Sequence, residues 1–232
     1  MKLNQLKTSM SLATAMGSLA LTAVTANAAI TQTDATNSSK TFYDANVSTD
    51  DLINVGSSTL GSFTSSDTST WGGGPTGVHD GSSAFNGGLA LWFQSTPVTL
   101  TYTLAGSATG YDITSINTIY GWQDGAQRYT SQEYDVLIST VSTPAFTVLT
   151  SVDYALSHNN EASSQVTLTD TTGVLASGVT GIRFITSPTS TSAEVGIIHE
   201  YDVFGTATVV PEPTTTALLG LGGLALILRR RK

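Results

Sequence analysis

An all-β fold, a jelly-roll-like β-sandwich, is the class this sequence predicts, and three observations predict it. Residues 97–104, PVTLTYTL, alternate apolar and polar strictly, the period of a strand with one buried face. Shorter runs of the same character recur at 116–120, 134–138, 146–149, 166–168, 182–186 and 197–204. Turn-rich stretches separate them, among them WGGGP at 71–75, DGSS at 80–83 and DTTG at 170–173, and no part of this region carries a 3.6-residue period. Many short strands spaced by turns, with no internal repeat, point to two packed sheets.

The flanks read differently. Lys2 and Lys7 precede an uncharged stretch over 10–24, and Ala26, Asn27 and Ala28 follow as small residues. That order of cationic, apolar and small segments is a secretory signal peptide over 1–28, with the cut expected after Ala28. Residues 29–40 are rich in Thr, Ser and Asn with no apolar pattern, so a loose leader is expected there. The sandwich domain is expected over 41–205, a short linker over 206–210 and a terminal tail over 211–232 that carries a hydrophobic helix as a transmembrane segment.

The tail is unlike everything before it. Pro211, Glu212 and Pro213 are followed by an uncharged run over 214–228 and then by Arg229, Arg230, Arg231 and Lys232. Fifteen uncharged residues fall short of the roughly 20 that a helix needs to cross a bilayer core. The basic cluster, however, is the flank that stays on the cytoplasmic side of a membrane segment. Gly220, Gly222 and Gly223 lower the helix propensity of the run. The two prolines fix φ and deny helix to the residues before them, which leaves an extended, accessible peptide. Transient insertion followed by recognition and removal fits these residues better than permanent anchoring.

Charge excludes some partners. Between residues 29 and 208 three cations, Lys40, Arg128 and Arg183, stand against sixteen carboxylates, a formal charge of −13. Nucleic acid is therefore not expected as a partner, because binding it relies on Lys and Arg at phosphates. The chain has no cysteine, which excludes disulfides, thiolate metal sites and a Cys nucleophile. There is no Gly-x-Ser-x-Gly elbow and no phosphate loop, and His199-Glu200-Tyr201-Asp202-Val203 has Val where a zinc helix has its second His. A non-enzymatic protein is expected.

Val210-Pro211-Glu212-Pro213, the short apolar run and the terminal Arg cluster together resemble the PEP-CTERM sorting signal of Gram-negative bacteria. The resemblance implies recognition by an inner-membrane exosortase that cleaves near Pro-Glu-Pro and releases the protein toward the cell surface. It also implies an association with exopolysaccharide and biofilm. The resemblance covers residues 209–232 only.

A second resemblance runs through the middle of the chain. Val78-His79-Asp80-Gly81, the region of Trp92, the strand ending at Leu104, residues 113–122, Tyr134-Asp135-Val136-Leu137-Ile138, Gly181-Ile182-Arg183-Phe184-Ile185 and His199-Glu200-Tyr201-Asp202-Val203-Phe204-Gly205 are together similar to discoidin-like, galactose-binding-fold domains. Many of those bind sugars. The resemblance also implies a structural calcium, which maps here to Asp80 in its turn and to Glu200. A charge of −13 and oxygen-rich loops suit that hard cation.

For a sugar ligand, the segment GWQDGAQRY at 121–129 offers the best residues: Trp122 and Tyr129 to stack on sugar rings, with Arg128, one of the three cations of the core, beside them to bind ligand or to pair with a neighbouring carboxylate, while Asn, Gln and Asp take the hydroxyls. The function expected from sequence is thus an exported surface or matrix protein with a carbohydrate-binding-like sandwich and an extracellular polysaccharide as partner. A purely structural or adhesive surface protein, and a secreted hydrolase, are the alternatives.

Overall fold

The computed structural model describes residues 29–37, 47–66, 74–82, 91–94, 96–121, 130–156, 163–187, 195–209 and 229. Ten strands run through them: β1 (Ile30–Asn37), β2 (Leu60–Ser65), β3 (Leu91–Gln94), β4 (Val98–Leu104), β5 (Tyr111–Gly121), β6 (Gln132–Thr140), β7 (Thr147–Tyr154), β8 (Ser163–Asp170), β9 (Ala176–Thr186) and β10 (Val195–Ala207). The one described helical turn is a 3-10 turn, Pro75–His79.

Antiparallel pairing arranges the strands in two layers. One reads β1-β8-β5-β10-β3 and the other β2-β4-β9-β6-β7. The layers are joined at one corner, where Tyr111 of β5 pairs with Val179 of β9 and Ile113 with Ala176. This is the expected β-sandwich.

Period-2 alternation decides which side chains meet between the layers. On β4, Val98, Leu100 and Tyr102 are buried, while Thr101 and Thr103 point outward. On β10, Tyr201 and Val203 enter the core and meet Ile182 and Phe184 of β9. The rings of Phe184 and Tyr201 are 4.3 Å apart, so the layers touch through aromatics at their centre. Tyr120 and Tyr201 hydrogen-bond through their hydroxyls, and the Tyr134 hydroxyl meets Thr118 Oγ1 at 2.8 Å. Tyr120, Tyr134 and Tyr201 keep their polar ends satisfied in this way, whereas the buried Tyr102 hydroxyl has no hydrogen-bond partner among the described residues.

The leader expected over 29–40 is corrected. Ile30–Asn37 is strand β1, paired along the whole of β8 from Ile30↔Asp170 to Asn37↔Ser163. Residues 31–35 are exposed on both faces, so β1 is held by its backbone ladder and has no alternation to read. The sandwich thus begins before residue 41, and β10 carries it to Ala207, two residues past the expected limit.

Strand ends define two poles. At one lie the end of β5 and starts of β6 and β8, the end of β7, the end of β9 and the start of β10; Gly121 pairs with Ser163, Gln132 with Tyr154, and Tyr134 with Thr186. At the other lie the β4–β5, β6–β7 and β8–β9 turns and the end of β10. We call these the loop pole and the turn pole.

Candidate functional site

A buried polar site forms where residues 47–58 and the 3-10 turn cover β10. Leu52, Ile53 and Val78 are buried apolar residues, and they draw this irregular segment against the core. Backbone bonds then fasten it: Leu52 N donates to Val203 O at 2.8 Å, and Val55 N to His79 O at 2.8 Å. His79 is buried, with Nδ1 2.8 Å from Ile53 O.

The same covering brings carboxylates together. Glu200 and Asp202 lie two apart on the face of β10 opposite Tyr201, and both are fully buried. Asp51 is buried and accepts from Ile53 N at 2.8 Å and from Val203 N at 3.3 Å. Asp80, half-buried after the 3-10 turn, accepts from Ser82 N at 3.0 Å. The structure thus brings the two sequence-predicted metal residues together: Glu200 Oε1 accepts from Gly81 N, next to Asp80, at 2.9 Å. The turn is tight. Gly81 has φ +72°, and a Cβ on it would lie 2.6 Å from Thr49 Cγ2 and 2.7 Å from Asn54 Nδ2.

Burial sets the electrostatics of this cluster. Desolvation, with Asp202, Asp80 and Asp51 nearby, pushes Glu200 up to about 10. Desolvation and the neighbouring Asp51 push Asp202 up to about 7, and desolvation pushes Asp51 up to about 6. Asp80 is raised by burial as well. Glu200 Oε2 has no hydrogen-bond partner among the described residues. Arg183 is engaged elsewhere: its guanidinium lies 4.0 Å from the centre of the Phe146 ring, and its Nε donates to Thr101 Oγ1 at 3.0 Å. Among the described residues, no group of three or more His, Cys, Asp or Glu could hold a metal ion.

Asp51 and Asp202 went unnoticed in the sequence. Asp202 could have been found, because a strand places it on the same face as Glu200. No linear signal joins Asp51 to a strand 152 positions away.

The loop pole has a polar floor. Thr118 Oγ1 donates to Gln132 Oε1 at 2.7 Å, Gln132 Nε2 donates to Ser164 Oγ at 2.9 Å, and Ser164 Oγ donates to Thr130 O. Thr118, Gln132 and Ser164 are fully buried. The segment carrying Trp122, Arg128 and Tyr129 connects β5 to β6, and these three residues lie outside the described ones. His199 is buried: its Nε2 sits 2.8 Å from Gly121 O, and desolvation pushes it down to about 4. Pro211, Glu212, Pro213, Arg230 and Arg231 also lie outside the described residues. No described helix is long and apolar enough to cross a membrane.

Residues 209–232 match the PEP-CTERM protein-sorting motif. That motif indicates export and membrane-associated sorting. Solved structures similar to the chain include a family 32 carbohydrate-binding module of Clostridium perfringens in complex with GalNAc-β-1,3-galactose (17% identity, 62% of this chain and 94% of that one, TM-score 0.42). Another is the family 32 carbohydrate-binding module from Streptococcus pneumoniae EndoD (10% identity, 66% and 98% covered, TM-score 0.43). A third is the lectin domain of lectinolysin complexed with Lewis B antigen (14% identity, 69% and 100% covered, TM-score 0.43). No curated protein sequence matches the chain.

Proposed function

We propose that this is an exported protein, processed by an exosortase at its tail and delivered to the cell surface, where its sandwich binds extracellular polysaccharide at the loop pole. The observation that carries the reading is the sorting motif at 209–232, behind a complete β-sandwich. Topology supports the binding part. The connections holding Trp122, Arg128 and Tyr129, and the one holding His158, Asn159 and Asn160, leave strands that end at one pole, beside the buried Gln132–Ser164 floor. Aromatic faces and amide or guanidinium donors are the groups that recognise sugar rings and hydroxyls.

Calcium belongs to the same proposal. Asp80 and Glu200 would hold it, fitted to the task by the unpartnered Glu200 Oε2 and by the Gly81 turn that ties the two together. The ion would displace the proton that burial holds on Glu200, and its role would be structural.

The binding test uses a glycan array probed with segment 29–208 and with its Trp122→Ala variant, their folding compared by circular dichroism. Wild type is expected to bind at least one glycan class, and Trp122→Ala to lose about tenfold or more, the scale on which one stacked aromatic contributes. A folded wild type with no glycan signal would leave a purely structural surface protein.

A further inference from the structure

The tail leaves the sandwich from the turn pole. β10 ends at Ala207, and the next residue is fixed on every side. Thr208 N donates to Gly110 O at 2.9 Å, and Thr208 Oγ1 donates to Asp112 Oδ1 at 2.7 Å. Gly178 N donates to Thr208 Oγ1 at 3.2 Å, and Thr109 Oγ1 donates to Thr208 O at 2.6 Å. Val141 N in turn donates to Gly178 O at 2.9 Å, so the β4–β5, β6–β7 and β8–β9 turns close around the exit point.

From that fixed residue the leash is short. Pro211 follows Thr208 by three residues, a reach of at most about 10 Å, and the uncharged run begins at Thr214, at most about 21 Å away. The headgroup layer beside a hydrocarbon core takes up about 5–7 Å of that distance. A folded sandwich whose tail has entered a bilayer has no room to turn over.

Charge agrees with this placement. The turns at 105–110, 141–146 and 171–175 and the exit at 206–209 hold no charged residue, in a segment of formal charge −13. The two nearest carboxylates, Asp112 and Asp170, act as acceptors for Thr208 and for Thr172 N. Two apolar side chains, Val141 and Val209, are 53% and 81% exposed there. An uncharged rim with exposed valines escapes the repulsion that carboxylates would meet at an anionic lipid surface.

We propose that the turn pole is the face this protein lays against the lipid surface while its tail is inserted, which points the loop pole directly away from the membrane. The proposal rests on the reading of the tail as an inserted sorting segment. It gives the short leash a purpose: the sandwich folds and stands in one orientation before the tail is cut.

The absence of native cysteine makes the test clean. Single-cysteine variants of the full chain after Ala28, Ala108→Cys and Ala145→Cys at the turn pole and Ala155→Cys at the loop pole, carry a fluorophore. Each is bound to protein-free vesicles of phosphatidylethanolamine and phosphatidylglycerol that contain a headgroup-attached quencher. Quenching is expected at positions 108 and 145 and not at 155. A Gly-Ser spacer of about twelve residues after Val209, adding up to ~40 Å of reach, is expected to lower the quenching at 108 and 145 toward that at 155. A bound chain quenched equally at all three positions overturns the proposal alone, and so does a spacer without effect. A full chain that stays off the vesicles removes the inserted-tail reading and the proposal with it.

Discussion

Gly110→Ala is expected to destabilise the sandwich by on the order of 3 kcal/mol or more, enough to unfold a large fraction of a domain of ordinary stability. Gly110 has φ +75°, where an L side chain costs about 1–2 kcal/mol. In addition, a Cβ there would clash with the Gly178 carbonyl carbon and lie 2.5 Å from its oxygen and 2.8 Å from Val179 O. These are backbone atoms at the corner joining the layers, and they cannot swing aside as a flexible side chain would. Gly173→Ala is the control: φ is +88° but nothing lies within 4 Å, so only the conformational cost remains. Urea unfolding of both variants separates the two effects. Equal losses would show that the close approach of the turns contributes nothing.

The second large effect is a fall in stability with rising pH. Burial pushes the Glu200 carboxyl up to about 10 from its ordinary value of 4.5. A carboxyl raised in this way contributes stability that is fully present below its unfolded pKa and is lost as pH rises toward the folded one. Asp51 at about 6 and Asp202 at about 7 lose theirs at lower pH, and His79 and His199, pushed down to about 4, act only below their unfolded value of 6.5. Glu200 therefore dominates the window between pH ~7.5 and ~9, with a slope approaching 1.4 kcal/mol per pH unit in chelator. Glu200→Gln is expected to flatten that slope. If calcium binds at Asp80 and Glu200, millimolar calcium should raise the melting temperature of wild type, and more so at the higher pH, because the ion displaces the proton. Asp80→Ala and Glu200→Gln should abolish the rise. A slope unchanged in Glu200→Gln would remove the carboxyl from this role, and melting indifferent to calcium and chelator would leave both acids structural.

Legibility from sequence follows from what each residue buries. Residues 97–104 announce their strand because Val98, Leu100 and Tyr102 face the core while the threonines between them do not. β1 announces nothing, because its stability comes from ladder bonds to β8 that every residue type except proline can make. At the site, Asp80 and Glu200 could be paired only through a family resemblance, since 120 positions separate them and the contact depends on a covering segment. Asp51 was beyond reach for the same reason. It is buried by Leu52 and Ile53 beside it, whose docking on β10 has no periodic signature. The tail is the opposite case: its information is local, an order of Pro-Glu-Pro, apolar run and cations, and it needs no fold to be read.

The most direct test of the central claim, that the tail is an address which processing removes, is the intact mass of the protein released at the surface of a host that has an exosortase. The expected mass corresponds to a chain without residues 1–28 and without the segment after Pro-Glu-Pro. A surface protein that still carries Arg229, Arg230, Arg231 and Lys232 would contradict it and leave the tail a plain anchor.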